Sequence, residues 1–310
     1  MEFTKMHGLG NDYIFINLLD NPDQEEQIDW QALSRLASNR YTGVGSDGII
    51  LICRPAADGH FRMRIFNADG SEGEMCGNGI RCVGRFVYDH GYTRERDLTV
   101  ETRAGLRRLH LLIDERGHAS QVIVDMGKPA PMAVPPESAV PLRGLPGGFY
   151  VYALGGPQSE PSLDGEVAGI PVSMGNPHLV IFVPATQNVP LASIGPVLEH
   201  HPAFPNRTNV EFVEVLPDQQ LRVRVWERGS GETQACGTGA CASAVAAMVS
   251  GWIDAPAGIE KNVTVYLPGG PLKIRWRGPG ETLFMEGPAE EVYSGRFSSS
   301  FLARAKCYRD

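Results

Sequence analysis

The sequence predicts an α+β fold of two similar lobes, and three observations predict it. Two segments recur in the same order about half a chain apart. Short runs of alternating apolar and polar residues read as half-buried strands. A candidate helix follows each copy of a Cys-Gly-x-Gly motif. With 310 residues, 42% hydrophobic and 21% charged, the chain has material for two ordinary lobes and a sizeable core.

The repeat is the strongest of the three. RMRIFNADGSEGEMCGNG (62–79) aligns without gaps on RVRVWERGSGETQACGTG (222–239), so that Arg62 meets Arg222, Arg64 meets Arg224 and Phe66 meets Trp226. In the same frame Glu72 meets Glu232, Cys76 meets Cys236, Gly77 meets Gly237 and Gly79 meets Gly239. Upstream, GNDYIFI (10–16) resembles GNPHLVI (175–181), which pairs Asn11 with Asn176. Either match alone could be chance likeness in glycine-rich loops; both in the same order point to a duplicated unit.

The elements follow in order. DWQALSRLASNR (29–40) carries Trp30, Leu33, Leu36 and Ala37 at helical spacing, with Asp29 as N-cap. FRMRIFN, LRVRVWE, VTVYL and LKIRW alternate as strands do. The helices after the two cysteines should span roughly 78–90 and 238–250. The second is built of Ala, Cys, Ser, Val and Met without a charge, so it should be buried on every side and wrapped by strands. A Pro- and Gly-dense stretch around 129–168 has little periodicity apart from FYVYAL (149–154) and reads as a surface excursion. The lobe boundary should fall near VDMGKP (124–129), which divides the chain into 1–126 and 127–287.

Composition narrows the function. A net charge of −8 without a basic stripe argues against nucleic-acid or anionic-membrane partners. The N-terminus has no secretory pattern, and the apolar run ACASAVAAMV is too short to span a bilayer, so a cytoplasmic setting with reduced thiols is expected. Cys53, Cys82 and Cys241 are assigned to packing, and Cys307 to a structural or bystander role. The cysteine spacings make no paired Cys-x2-Cys knuckles for zinc. No P-loop is present. None of Lys5, Lys128, Lys261, Lys273 and Lys306 sits where a Schiff-base lysine would be expected, so neither metal nor cofactor is called for.

Cys76 and Cys236 are different. Glycines beside each sulfur let backbone amides approach a ligand, and the helix N-terminus seats an anion such as a carboxylate. The same field should lower the thiol pKa. Two such motifs facing one cleft would place a sulfur on each side of the carbon next to a bound carboxylate. One thiolate could then remove the α-hydrogen while the opposite thiol protonates the other face. The amides would stabilise the charge that spreads into the carboxylate. Two facing sulfurs should also link on oxidation of the empty protein. Asn11, Asn67, Asn176 and Asn209 lie beside strand-like runs, and Glu227-Arg228 follows another. Taken singly, the asparagines read equally as turn residues, Glu227-Arg228 as a surface ion pair, and His178 as a capping or packing histidine.

The segments HGLGNDYIFIN (7–17), FNADGSEGEMCGNGIRC (66–82), MGNPHLVIF (174–182), RTNVEFV (207–213) and ERGSGETQACGTGACAS (227–243) resemble the diaminopimelate epimerase family, in order, to about Phe297. The resemblance implies cofactor-independent interconversion of LL- and meso-2,6-diaminoheptanedioate for lysine and peptidoglycan-precursor synthesis. Cys76 and Cys236 would be the acid/base pair, the first usually described as donor and the second as acceptor. The amides of Gly77-Asn78 and Gly237-Thr238 would hold the reacting carboxylate. Asn67, Asn176, Asn209 and Arg228 would read the distal end, with Asn11 lining the site. Glu227 and His178 would be auxiliary polar residues near the reacting centre.

The family fold implied is two pseudo-symmetric lobes, each a mostly antiparallel, barrel-like sheet around a central helix. The active site would lie in the cleft between them, residues 288–310 would return to the first lobe, and members are often homodimers. Two features depart: Gly48 stands where some members carry a polar side chain, and 129–168 matches no family motif. Proline racemases and hydroxyproline epimerases are the nearest alternative, but they resemble Met-Cys-Gly-His-Gly where this chain has Met-Cys-Gly-Asn-Gly. A non-catalytic redox switch built on the two cysteines is the alternative from another class.

Overall fold

The computed structural model describes residues 1–135, 138–154, 167–256 and 258–307, with nothing described of the side chains of residues 140, 306 and 307. Part of the excursion expected around 129–168 and the side chain of Cys307 therefore lie outside the described residues. The described chain is α+β. Its helices, in chain order, are α1 (Gln24–Gln27), α2 (Trp30–Ser38), α3 (Gly77–Asp89), α4 (Leu191–Glu199), α5 (Gly237–Ser250) and α6 (Ser299–Cys307). It divides into two compact units, the first Met1–Val124 with Glu286–Asp310, the second Asp125–Met285.

In the first unit, Glu2–Gly8 pairs antiparallel with Asn11–Asn17 and, on its other edge, with Glu290–Arg296. Asn11–Asn17 then pairs parallel with Gly48–Cys53, which is antiparallel to Phe61–Asn67. Phe61–Asn67 pairs parallel with Asp97–Thr102, and Gly105–Ile113 continues antiparallel. A parallel pair needs a long crossover, and the two crossovers carry α2 and α3.

The second unit repeats this sequence of pairings. Val167–Ser173 is antiparallel to Pro177–Phe182, which is parallel to Asn209–Leu216. That strand is antiparallel to Gln220–Glu227, which is parallel to Lys261–Leu267, with Gly270–Trp276 antiparallel beyond. Its two crossovers carry α4 and α5. Each unit thus has the same strand grammar and the same two crossover helices, which is the duplication legible in the sequence. In the excursion, Ala139–Gly144 and Tyr150–Leu154 form a hairpin whose register shifts at Pro141/Arg143. The sequence hid the first of these strands because proline breaks the alternation and forces a bulge.

Local chemistry explains the helices. Asp29 caps α2 by accepting from Ala32 N at 3.0 Å, as its position predicts. Helix α5 is buried from Gly239 through Val249, as a chargeless small-residue helix must be. Gly48 has its own reason to lack a side chain: a Cβ there would lie 2.2 Å from the Phe66 carbonyl oxygen on the neighbouring strand. The connection between the first two strands is a two-residue turn with Leu9 at φ 59° and Gly10 at φ 83°. Positive φ at both centres is the type I′ pattern of tight hairpins. Leu9 is strained there, and the turn delivers Asn11 directly at the start of its strand.

Candidate active site

Each cysteine motif builds its own cluster of polar side chains, one in each half of the chain. In the first, Cys76 is the N-cap of α3, its Sγ accepting from Gly79 N at 3.3 Å. The Cys76 thiol also reaches Asn11 Oδ1 at 3.3 Å, and Asn78 Nδ2 donates to the same oxygen at 3.2 Å. Asn11 is itself oriented, because its Nδ2 donates to Asp47 Oδ2 at 2.8 Å. An amide whose nitrogen is committed to a carboxylate must turn its oxygen the other way, here toward Cys76. Below the sulfur lies Tyr13, whose hydroxyl is held well above its usual pKa by burial and by the neighbouring Cys76.

Arg81, fully buried on α3, donates to Gly77 O at 3.1 Å and to Asn78 Oδ1 at 2.9 Å, fixing the first turn. Asp47 and Asp12 share Arg40, at 2.8 and 2.7 Å, and Asp12 also pairs with the buried Lys5. Lys5 is thus a structural cation. Asn67 lies at the end of its strand and donates to Ser71 Oγ at 3.0 Å.

In the second half Cys236 is the N-cap of α5 and accepts from Gly239 N at 3.4 Å. Thr238 Oγ1 stands 3.6 Å from the sulfur, and Asn176 Nδ2 donates to that hydroxyl at 3.3 Å. His178 Nε2 meets Asn176 Oδ1 at 3.0 Å, and its Nδ1 meets Glu211 Oε1 at 2.7 Å. Thr233 donates to Glu227, whose carboxyl also hydrogen-bonds Cys236. Asn209 bridges, donating to Pro177 O at 2.8 Å and accepting from Arg228 N at 2.9 Å. The Arg228 side chain is exposed and donates to Asn206 O at 3.1 Å.

One electrostatic expectation is corrected in this half. The helix N-terminus was expected to lower the thiol pKa, yet the Cys236 thiol stands well above its usual range. Burial is the largest cause, followed by the acidic Glu227 and Glu211, and together they outweigh the Gly239 amide and Thr238. Cys236 therefore rests as a thiol. Burial likewise raises Glu227, reinforced by Glu211 and only partly offset by its hydrogen bonds to Thr233 and Cys236.

The first half thus gathers Cys76, Gly77, Asn78 and Asn11, with Asn67 at the edge of its strand. The second gathers Cys236, Gly237, Thr238, Asn176, His178, Asn209, Glu227 and the Arg228 backbone. Sequence reasoning missed Asp47, Tyr13, Thr233 and Glu211. For Glu211 a signal existed: an acid set between apolar Val210 and Phe212 in a strand-like run. Cys53, Cys82 and Cys241 are buried, and burial pushes the first two thiols up to about 12, as packing residues. Among the described residues no three His, Cys, Asp or Glu side chains gather as metal ligands.

The family model for diaminopimelate epimerase matches residues 3–131 and 170–292. The chain belongs to the diaminopimelate epimerase family. The unmatched interval is the Pro/Gly-rich one. The diaminopimelate epimerase of Moorella thermoacetica is 46% identical over 299 residues, covering 96% of this chain and 99% of its own. That of Desulfovibrio desulfuricans is 46% identical over 301 residues, covering 96% and 98%. The chain's class is accordingly that of an isomerase.

Among solved structures, a probable proline racemase from Agrobacterium radiobacter superposes with a TM-score of 0.67 at 16% identity, covering 96% of this chain and 93% of its own. A hydroxyproline epimerase from Agrobacterium vitis does so at 0.64 and 15%, covering 95% and 91%. At such identities the likeness is one of fold alone, an α+β fold. No helix among the described residues is long and apolar enough to cross a membrane.

Proposed function

We propose that the chain interconverts LL- and meso-2,6-diaminoheptanedioate, with Cys76 and Cys236 as the acid/base pair and no cofactor. The observation that carries this reading is the repeated half-site: in each unit a cysteine caps the N-terminus of a buried helix, the end that seats a carboxylate. In this reading the two halves, one from each lobe (1–126 with 288–310, and 127–287), close on one substrate in the cleft between them. The reacting carboxylate lies between the amides of Gly77-Asn78 and Gly237-Thr238.

One cysteine, as thiolate, takes the α-hydrogen as a proton. The electron pair left on carbon delocalises into the carboxylate, and the opposite thiol gives its proton to the other face. One C–H bond breaks, one forms, and the two sulfurs exchange protonation states. Cys236, resting as a thiol, is the proton donor in one direction. In the other it becomes the base after giving its proton to Glu227, the carboxyl that hydrogen-bonds it. His178 organises the second half through Asn176. Asn67, Asn176, Asn209 and Arg228 read the distal amino-acid end, and Asn11 lines the site. The family's habit supports a homodimer, which sedimentation of the purified protein would check.

The test is incubation of reduced protein with LL-diaminopimelate in deuterated water, followed by proton NMR. Loss of the α-proton signal with appearance of the meso isomer, abolished in Cys76→Ala and in Cys236→Ala, is the expected result. Exchange only with proline or hydroxyproline would assign the chain to the sister activity. Exchange with none of these would leave a redox role for the cysteines.

A further inference from the structure

The two half-sites are not equivalent beneath their helices. Strand registers place Ile14 opposite Ile49 and Leu179 opposite Val210, so Tyr13 corresponds to His178 and Ile50 to Glu211. Both pairs of residues face the cysteine helix. Under α3 the space above the strand is filled by a methyl: a Cβ on Gly79 would lie 2.4 Å from Ile50 Cδ1. Under α5 a carboxylate fills it: a Cβ on Gly239 would lie 2.8 Å from Glu211 Oε1. Glu211 and His178 have no solvent exposure, and Glu211 Oε2 has no hydrogen-bond partner. Burying a carboxyl with one oxygen unsatisfied is unfavourable, and the other unit packs the same position with isoleucine. Stability alone therefore gives no reason for an acid there.

A reason appears along the hydrogen bonds that leave it. Glu211 Oε1 meets His178 Nδ1, His178 Nε2 meets Asn176 Oδ1, Asn176 Nδ2 meets Thr238 Oγ1, and Thr238 Oγ1 meets Cys236 Sγ. We propose that Glu211 is a positioning residue of the epimerase site: it keeps a proton on His178 Nε2 and thereby fixes which way the Asn176 amide points. This rests on the reading above that Asn176 and Cys236 meet the substrate.

The proton count carries the argument. The Glu211–His178 pair can hold one proton between Oε1 and Nδ1 as imidazolium and carboxylate, or as neutral imidazole and carboxylic acid. Either way Nε2 keeps its own hydrogen and donates to Asn176 Oδ1. Removing a proton would leave a bare Nε2 facing a carbonyl oxygen and a net negative charge buried beside Glu227 and Cys236. Those two, both acids, are the titratable groups that face the pair from the strand Gln220–Glu227 and the start of α5. Asn176 and Thr238 are neutral, and the partial positive charge of the α5 N-terminus is the one opposing field. With its oxygen taken by His178 Nε2, Asn176 turns its NH2 toward Thr238 and the cysteine helix. With a neutral partner at Nδ1, His178 is free to adopt the other tautomer, and Asn176 is free to flip.

The experiment uses the intact chain as wild type, Glu211→Gln and Glu211→Ile, with 15N-labelled histidine. The His178 ring signals are assigned by their loss in His178→Gln. In wild type without ligand, the Nε2 signal should be that of a nitrogen donating to Asn176 Oδ1. In Glu211→Gln the His178 signals should move, while thermal melting shows a folded protein. With LL-diaminopimelate, kcat/KM should fall about 10–100-fold, most of it in KM, as for a misplaced binding group. Glu211→Ile, which copies the other unit, should behave the same way if it folds; the Gln variant decides if it does not. A folded Glu211→Gln with unchanged ring signals and kcat/KM within about twofold of wild type overturns the proposal. If the wild type does not epimerise diaminopimelate, the functional reading fails, and the ring-nitrogen signals alone still decide what Glu211 does to His178.

Discussion

Gly79 donates its amide hydrogen to Cys76 Sγ at 3.3 Å, and Gly239 does the same to Cys236 at 3.4 Å. Each sulfur is therefore a helix cap as well as a candidate acid/base group, and the two roles can be separated. Serine is among the best N-caps, whereas its hydroxyl is a far weaker acid than a thiol. Cys76→Ser and Cys236→Ser should stay folded, with unfolding free energies within about 1 kcal/mol of wild type. Their epimerase kcat/KM should drop by about 10²–10⁴-fold or more. A serine variant that keeps near-normal turnover would remove that cysteine from the chemistry.

The two glycines differ in what a methyl would strike. In Gly79→Ala it meets a flexible isoleucine methyl, an overpacking worth about 1–3 kcal/mol. In Gly239→Ala it meets Glu211 Oε1, which is held at 2.7 Å from His178 Nδ1 in a dry interior. Displacing that carboxylate breaks a buried pair, a loss of about 3–5 kcal/mol. Urea unfolding should therefore rank Gly239→Ala as the less stable protein; the reverse order would show that the carboxylate yields easily.

Glu227 predicts a pH signature. Its folded pKa is raised by burial, so between the ordinary carboxylate value of about 4.3 and that raised value the folded state binds more protons than the unfolded. Its contribution to stability is full below that window and is lost as pH rises through it. Glu227→Gln removes this loss. Thermal melts from pH 4 to 8 should show a flatter profile for the variant, with a gain relative to wild type on the neutral side. Activity should fall in the same variant, since Gln cannot take a proton from Cys236. Parallel melting profiles would contradict the raised pKa.

Asp12 behaves in the opposite sense. Burial works to raise its pKa, but hydrogen bonds and charges from Arg40 and Lys5 outweigh it, and the net shift is downward. Its stabilisation is present above the unfolded carboxylate value and disappears as pH falls through the lower folded value. Asp12→Asn leaves the buried Lys5 ammonium without its carboxylate, and should cost about 3 kcal/mol at pH 7 by urea titration. Adding Lys5→Met to that variant should restore part of the loss, because no buried charge remains. No recovery in the double variant would place the cost elsewhere than the stranded cation.

The sequence by itself determined the duplication, the two capped cysteine helices and the α+β class. Those features are local: glycines beside Cys76 and Cys236, an uncharged run at 240–249, Asp29 before a helical period, and strands that alternate. The family motifs also brought out Asn11, Asn176, His178, Asn209 and Glu227 as site candidates. What each side chain touches was decided only by the tertiary structure. Glu211 meets His178 because two strands far apart in the chain pair parallel, with His178 opposite Asn209. Asn11 points its oxygen at Cys76 because Asp47, in the bend just before the strand Gly48–Cys53, arrives to take its NH2. The Cys236 thiol, which helix chemistry alone would make acidic, is instead held protonated by burial and by two acids brought in from neighbouring strands. Motif and period are carried by adjacent residues, whereas desolvation and partner choice depend on long-range register, which a one-dimensional pattern does not encode.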